Sequence, residues 1–150
     1  MSNDDLKTAP RMLQSKDCYV CGIENPAGLK ISFFYDGSSV SAEFTPGEEF
    51  CGFNGIVHGG IIYALADEAM MHLVWASGRR ATSAEIKMRY HNYARTGVKL
   101  KLTAEFEEIK PRLITARCRI SDNDERKIAT ASGKFLPFAD GDEEIFKKRF

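Results

Sequence analysis

From Leu29 the chain alternates apolar and polar side chains with a period of two. Leu29, Ile31, Phe33 and Tyr35 share one face, and Val40, Ala42 and Phe44 resume the alternation after the turn residues Asp36-Gly37-Ser38. The pattern predicts a β-hairpin. Pro46-Gly47 ends it, and a loop through Cys51, Gly52, Asn54 and Gly55 leads to His58. The alternation then stops. Residues 59–77 hold no proline, are rich in Ala, Leu and Met, and are apolar almost all round. They predict a central core helix of about five turns, closed by Gly78. Four more alternating runs follow, carrying Ile86/Met88/Tyr90, Val98/Leu100/Leu102/Ala104/Phe106, Ile114/Ala116/Cys118/Ile120 and Ala129/Ala131/Gly133/Phe135. Turn chemistry at Thr96-Gly97, Lys110-Pro111 and Ser121-Asp122-Asn123-Asp124 separates the four. One polar face per strand predicts an antiparallel sheet covered on one side. The economical packing is α+β: one long central helix wrapped by a curved antiparallel β-sheet. Residues 1–16 lack periodicity and are expected to be a mobile arm, residues 17–140 the domain, and residues 141–150 a short helix or tail.

Charge narrows the partners. Lysine and arginine total 21 and aspartate and glutamate 21, so there is no net positive field to favour nucleic acid or an anionic membrane. The opening MSNDDLKTAP lacks the apolar stretch of a signal peptide. The most apolar run, Ile61 to Ala76, contains Asp67, Glu68 and His72, which argues against a membrane span. A soluble, cytoplasmic protein is expected. Cysteines stand at 18, 21, 51 and 118. The phrase C-Y-V-C-G-I-E-N-P-A-G-L admits a redox pair, half a metal site or a tight knuckle built on Gly22, Pro26 and Gly28. Cys51 and Cys118 stand alone rather than as a second pair, so the knuckle is preferred, and neither metal nor cofactor is expected.

The candidate chemistry lies in GIVHGGIIYALADEAM, residues 55–70. Gly59 and Gly60 have no side chains and fall at the first turn of the predicted helix. Its amides there are unpaired and the helix dipole favours negative charge. Such a place can polarise a carbonyl and hold an oxyanion. Asp67 follows Gly59 by eight residues, about 12 Å along a helix axis. One chain therefore cannot easily bring both groups to one small ester, whereas two antiparallel central helices can. A homodimer or a dimer of dimers with shared sites is expected.

His58 to Asp67 read H-G-G-x-x-x-x-L-A-D, which resembles the signature of hotdog-fold acyl-CoA thioesterases of the phenylacetate-pathway type. The resemblance extends over about residues 18–137 and includes C-x-x-C-G-x-x-N-P-x-G-L, D-E-A-M and the strand T-S-A-E-I-K-M-R-Y. It implies hydrolysis of an acyl-CoA by dimers that join two sheets edge to edge. Gly59 would donate its amide to the thioester oxygen, with His58 shaping the loop. Asp67 of the partner chain would act as general base or nucleophile, and Ser83 would help to place the water. Gly60, Asn54, Glu68 and Tyr63 are candidate substrate contacts, and Arg89 and Arg95 candidates for coenzyme A phosphates. Two places depart from the family pattern. Gly52 stands where many relatives have asparagine, and Tyr93 and Arg95 where prolines are common. Two other functions fit the same fold. An enoyl-thioester hydratase or dehydratase would use His58 and Glu68, and a non-catalytic protein would hold an acyl or aromatic ligand.

Overall fold

A computed structural model describes residues 15–139 and 142. The expected N-terminal arm therefore lies almost wholly outside the described residues, and so does the expected C-terminal helix or tail apart from Asp142. The elements in chain order are β1 (Phe34–Tyr35), β2 (Ser39–Phe44), β3 (Cys51–Phe53), β4 (Ile56–Val57), α1 (Gly59–Ala76), β5 (Ala81–Tyr90), β6 (Leu100–Lys110), β7 (Leu113–Asp122) and β8 (Lys127–Pro137). A six-stranded antiparallel sheet runs in the order β1-β2-β6-β7-β8-β5, while β3 and β4 form a separate small hairpin. The helix contacts β2, β5, β6, β7 and β8, so the sheet wraps it.

The core is the one that the alternation specifies. Leu100, Leu102 and Ala104 of β6, Ile114, Ala116, Cys118 and Ile120 of β7, and Ala129, Ala131 and Phe135 of β8 are all buried. Their neighbours Lys101, Arg117, Arg119 and Lys134 are exposed on the outer face. From Leu65 to Trp75 every residue of α1 is buried except Asp67, which is half-buried. The helix ends in a Schellman arrangement. Gly78 adopts φ +86°, its amide donates to Trp75 O, and that of Arg79 donates to Val74 O. Trp75 Nε1 donates to Ala81 O at 3.0 Å, and the Arg80 guanidinium lies 4.5 Å from the indole centroid. These contacts fix the crossing from the helix to β5.

Two local expectations change. The first strand shrinks to two residues, although Leu29, Ile31 and Phe33 are buried as predicted. Lys30 takes a left-handed φ of 56° and breaks the extended run. The amides of Leu29 and Ile31 donate instead to Tyr19 and Val20 carbonyls, so this segment pairs with the cysteine knuckle. The loop before His58 is more ordered than its composition suggests, for β3 and β4 pair across Asn54-Gly55, with Gly55 at φ +75°. Among the described residues no helix is long and apolar enough to cross a membrane.

Leu65 is fully buried between helix and sheet. Leu65→Ala should lower unfolding free energy by about 2–5 kcal/mol in urea titration with little change in m, because the close-packed sheet cannot collapse into the void.

Candidate active site

The site begins where β4 runs into α1. Val57 N–H donates to Ala94 O and His58 N–H to Phe50 O, both at 2.8 Å, which clamps the loop from two sides. His58 is the N-cap. Its Nδ1 accepts from Gly60 N–H at 2.8 Å, and its carbonyl takes the amides of Ile61 and Ile62. Of the first four amides of the helix, only that of Gly59 has no acceptor among the described residues. With Nδ1 engaged as an acceptor, the ring proton sits on Nε2, so His58 orients the turn rather than acting as a base through Nδ1. A Cβ at Gly60 would sit 3.0 Å from His58 Nδ1 and crowd the cap.

Tyr90, the last residue of β5, crosses to the same turn and donates its hydroxyl to Gly59 O at 2.8 Å. Burial at this junction, with Tyr63 beside it, holds the phenol above the ordinary tyrosine value, so it stays a neutral donor. A cleft of about 550 Å³ opens over the glycine turn. Its apolar wall comes from Phe53, Ile56, Ile62 and Ile128, its floor from His58 and Gly59, and its far side from Tyr90 to Ala94. Arg126 reaches the rim, where Nη2 donates to Tyr93 O at 2.7 Å and Nε to Asp122 Oδ2 at 3.1 Å. Burial pushes the Asp122 carboxyl upward. The Arg126 and Asp124 amides and the Arg126 guanidinium more than offset that, so it rests below the usual range and remains a counterion. The cleft thus offers an apolar wall ending at an unshared amide on a helix N-terminus, a setting able to bind a carbonyl oxygen.

The sequence-predicted residues divide. His58 and Gly59 line the cleft; Gly60 completes the cap beside it. Asn54 lies exposed in the β3–β4 turn, and Tyr63 is part-exposed one turn along α1. Arg95 is exposed, opposite Ile56 in an isolated bridge, and Arg89 lies on the outer face near Lys87, Arg117 and Arg119. Ser83 is exposed on β5, beside the bulge that shifts register before Glu85. Asp67 is not among the cleft residues. Glu68 is not there either; it is buried against Cys18 and His72 instead. Tyr90, His91, Asn92 and Arg126 line the cleft without having been singled out as site residues. The run Tyr90-His91-Asn92-Tyr93, four hydrogen-bonding side chains at the end of an alternating strand, is a local signal for the first three, and Arg126 has none.

A sequence profile of the thioesterase superfamily matches residues 54–129, from the turn before β4 into β8. The chain belongs to the thioesterase superfamily. Solved structures agree on the architecture, which is the hotdog fold. A crystal structure of a thioesterase superfamily protein superposes with TM-score 0.76 at 26% identity, covering 81% of this chain and 60% of that one. The chain thus spans well under two thirds of that relative's length. The E. coli PaaI protein of the phenylacetic acid degradation operon gives TM-score 0.69 at 18% identity, covering 74% of this chain and 81% of that one. A hypothetical thioesterase protein with coenzyme A from Streptococcus pneumoniae gives 0.66 at 14% identity, with 69% and 80% covered. A search of curated proteins found no match.

Capping by His58 has a measurable weight. His58→Ala should cost about 1 kcal/mol of stability in denaturant titration, whereas His58→Asn, which keeps an acceptor at the cap, should recover most of it.

Proposed function

We propose that the protein hydrolyses an acyl-CoA thioester to the free acid and coenzyme A at a site built by two chains. The observation that carries this is Gly59, which lines an apolar cleft at the N-terminus of α1 and whose amide has no acceptor among the described residues. The thioester oxygen accepts from that amide, and the developing oxyanion is held there. Water attacks the carbonyl carbon. The partner subunit's Asp67 takes the proton from that water, and the sulfur leaves as the coenzyme A thiol once a proton returns to it. The family membership and a coenzyme A-bound structure of the same fold support a CoA thioester as substrate.

Two features favour a shared site. Asp67 is the one position between Leu65 and Trp75 that is not buried within its own chain, which suits a group presented to a second one. Strand β5 is ten residues long and forms an outer edge of the sheet, so a second copy could continue the sheet across it. Ser83 on that strand is assigned to placing the attacking water. Arg95, opposite Ile56 of the cleft wall, is assigned to the coenzyme A phosphates, with Arg89 further out on the sheet face. The cytoplasm is the proposed location. The hydratase alternative needs His58 as a base, and the cap bond from Gly60 occupies its Nδ1 lone pair, which counts against that chemistry.

Asp67→Asn should cut turnover of a responsive acyl-CoA by at least about 10²–10⁴-fold, with KM little changed, in an assay of free thiol release. Unchanged turnover would end the assignment of Asp67 as the base, and loss of enoyl absorbance without thiol release would end the hydrolase assignment. Solution mass measurement should give a dimer or a dimer of dimers. An active monomer would refute the shared site.

A further inference from the structure

Away from the cleft, four side chains that bind metals converge between the cysteine knuckle and the middle of α1. Cys18 and Cys21 are free thiols, and Cys21 is fully buried. Their sulfurs and a carboxylate oxygen of Glu68 all lie within 4.8 Å of one another. Cys18 Sγ is 3.3 Å from Glu68 Oε1, and His72 Nε2 is 3.2 Å from the same oxygen, one helical turn along. The His72 ring stacks on Phe33 with centroids 4.6 Å apart, so its direction is fixed.

The knuckle itself is shaped to present sulfur. The amides of Val20 and Cys21 both point at Cys18 Sγ, at 3.4 Å each, and would support a thiolate there. Gly22 N–H donates to Cys18 O at 2.8 Å, closing the turn. A Cβ at Gly22 would run into backbone atoms of Cys18 and Lys16, so this turn requires glycine. Three electron-pair donors meeting in a largely buried space repel one another unless something positive sits between them. Protons do this poorly here. If Cys18 donates to Glu68, it cannot also be the thiolate that the Val20, Cys21 and thiol donors face. One cation resolves all three contacts at once.

We propose that Cys18, Cys21 and Glu68 bind a zinc ion, with His72 holding the Glu68 carboxylate from outside and water taking the fourth position. Bonds of about 2.3 Å to sulfur and about 2.0–2.2 Å to oxygen at tetrahedral angles put ligand atoms roughly 3.5–4 Å apart, within the observed spread. A histidine behind a ligating carboxylate is the outer support such sites use. Thiolates select zinc over magnesium or calcium. The ion would fasten residues 18–21, which pair through their carbonyls with the Leu29–Ile31 segment, directly onto α1.

The test uses the full chain, reduced and stripped with a chelator. Titration with cobalt(II) should produce a thiolate-to-cobalt charge-transfer band and intense tetrahedral visible bands, both abolished by added zinc. Elemental analysis after zinc loading and desalting should give about one zinc per chain, and the loaded protein should melt at higher temperature than the stripped one. Cys21→Ser and Glu68→Gln should lose or strongly weaken the cobalt bands, while Cys51→Ser and Cys118→Ser should keep them. Wild-type protein with no cobalt band and no retained zinc would overturn the site, and that titration needs no variant to fold. Bands that survive in the Cys18→Ser/Cys21→Ser double variant would overturn it too. So would a Cys18–Cys21 disulfide whose reduction fails to restore metal binding. Thioester hydrolysis is measured separately, and neither result decides the other.

Discussion

Helix α1 is enclosed so thoroughly that each of its polar groups needs a local answer. A surface helix can leave its first amides, a carboxylate or an imidazole to water. Here the sheet contacts the helix through five strands, and burial is continuous from Leu65 to Trp75 apart from Asp67. An unsatisfied polar group in such a place costs roughly 1–3 kcal/mol, more if charged. The fold meets this with the His58 cap at one end, the Schellman turn at the other, and the Glu68–His72–Cys18 contacts in between. Two positions stand out: Gly59, whose amide has no acceptor among the described residues, and Asp67, the one half-buried residue in that run.

Gly59 and Asp67 sit on one element yet in different surroundings. Gly59 lines a cleft made by the β3–β4 hairpin and by the chain just after β5. Asp67 lies two turns on, where its own chain leaves a partial opening. Tyr90 joins the cleft to the sheet edge, because the strand that would meet a second copy ends in the hydroxyl that holds Gly59 O. A change in edge pairing at β5 would therefore be felt at the glycine turn through a single side chain.

The legible parts of the sequence were those set by local periodicity. Helix α1 and strands β6 to β8 follow from apolar spacing alone, since each buries a face along its whole length. The first strand was overstated because alternation reports burial, not pairing: Leu29, Ile31 and Phe33 are buried, but Lys30 turns the backbone so that its partners are knuckle carbonyls. Strands β3 and β4 were missed because five or fewer residues cannot show a period. His58 and Gly59 were readable since cap and turn chemistry lie in adjacent residues. Arg126 was not, because it reaches the cleft only through the fold. Nor was the company of Cys18, for fifty residues separate it from Glu68.

The chain has a single tryptophan, and the fold has placed it at an informative joint. Trp75 is buried at the end of α1, bonded to the first residue of β5 and covered by the Arg80 guanidinium. Its indole senses an adjacent positive charge and a carbonyl dipole, both of which shift and quench emission when they move. The protein therefore contains its own optical gauge of whether the helix is seated on the edge strand. No dye is needed to follow that seating as the protein folds and unfolds.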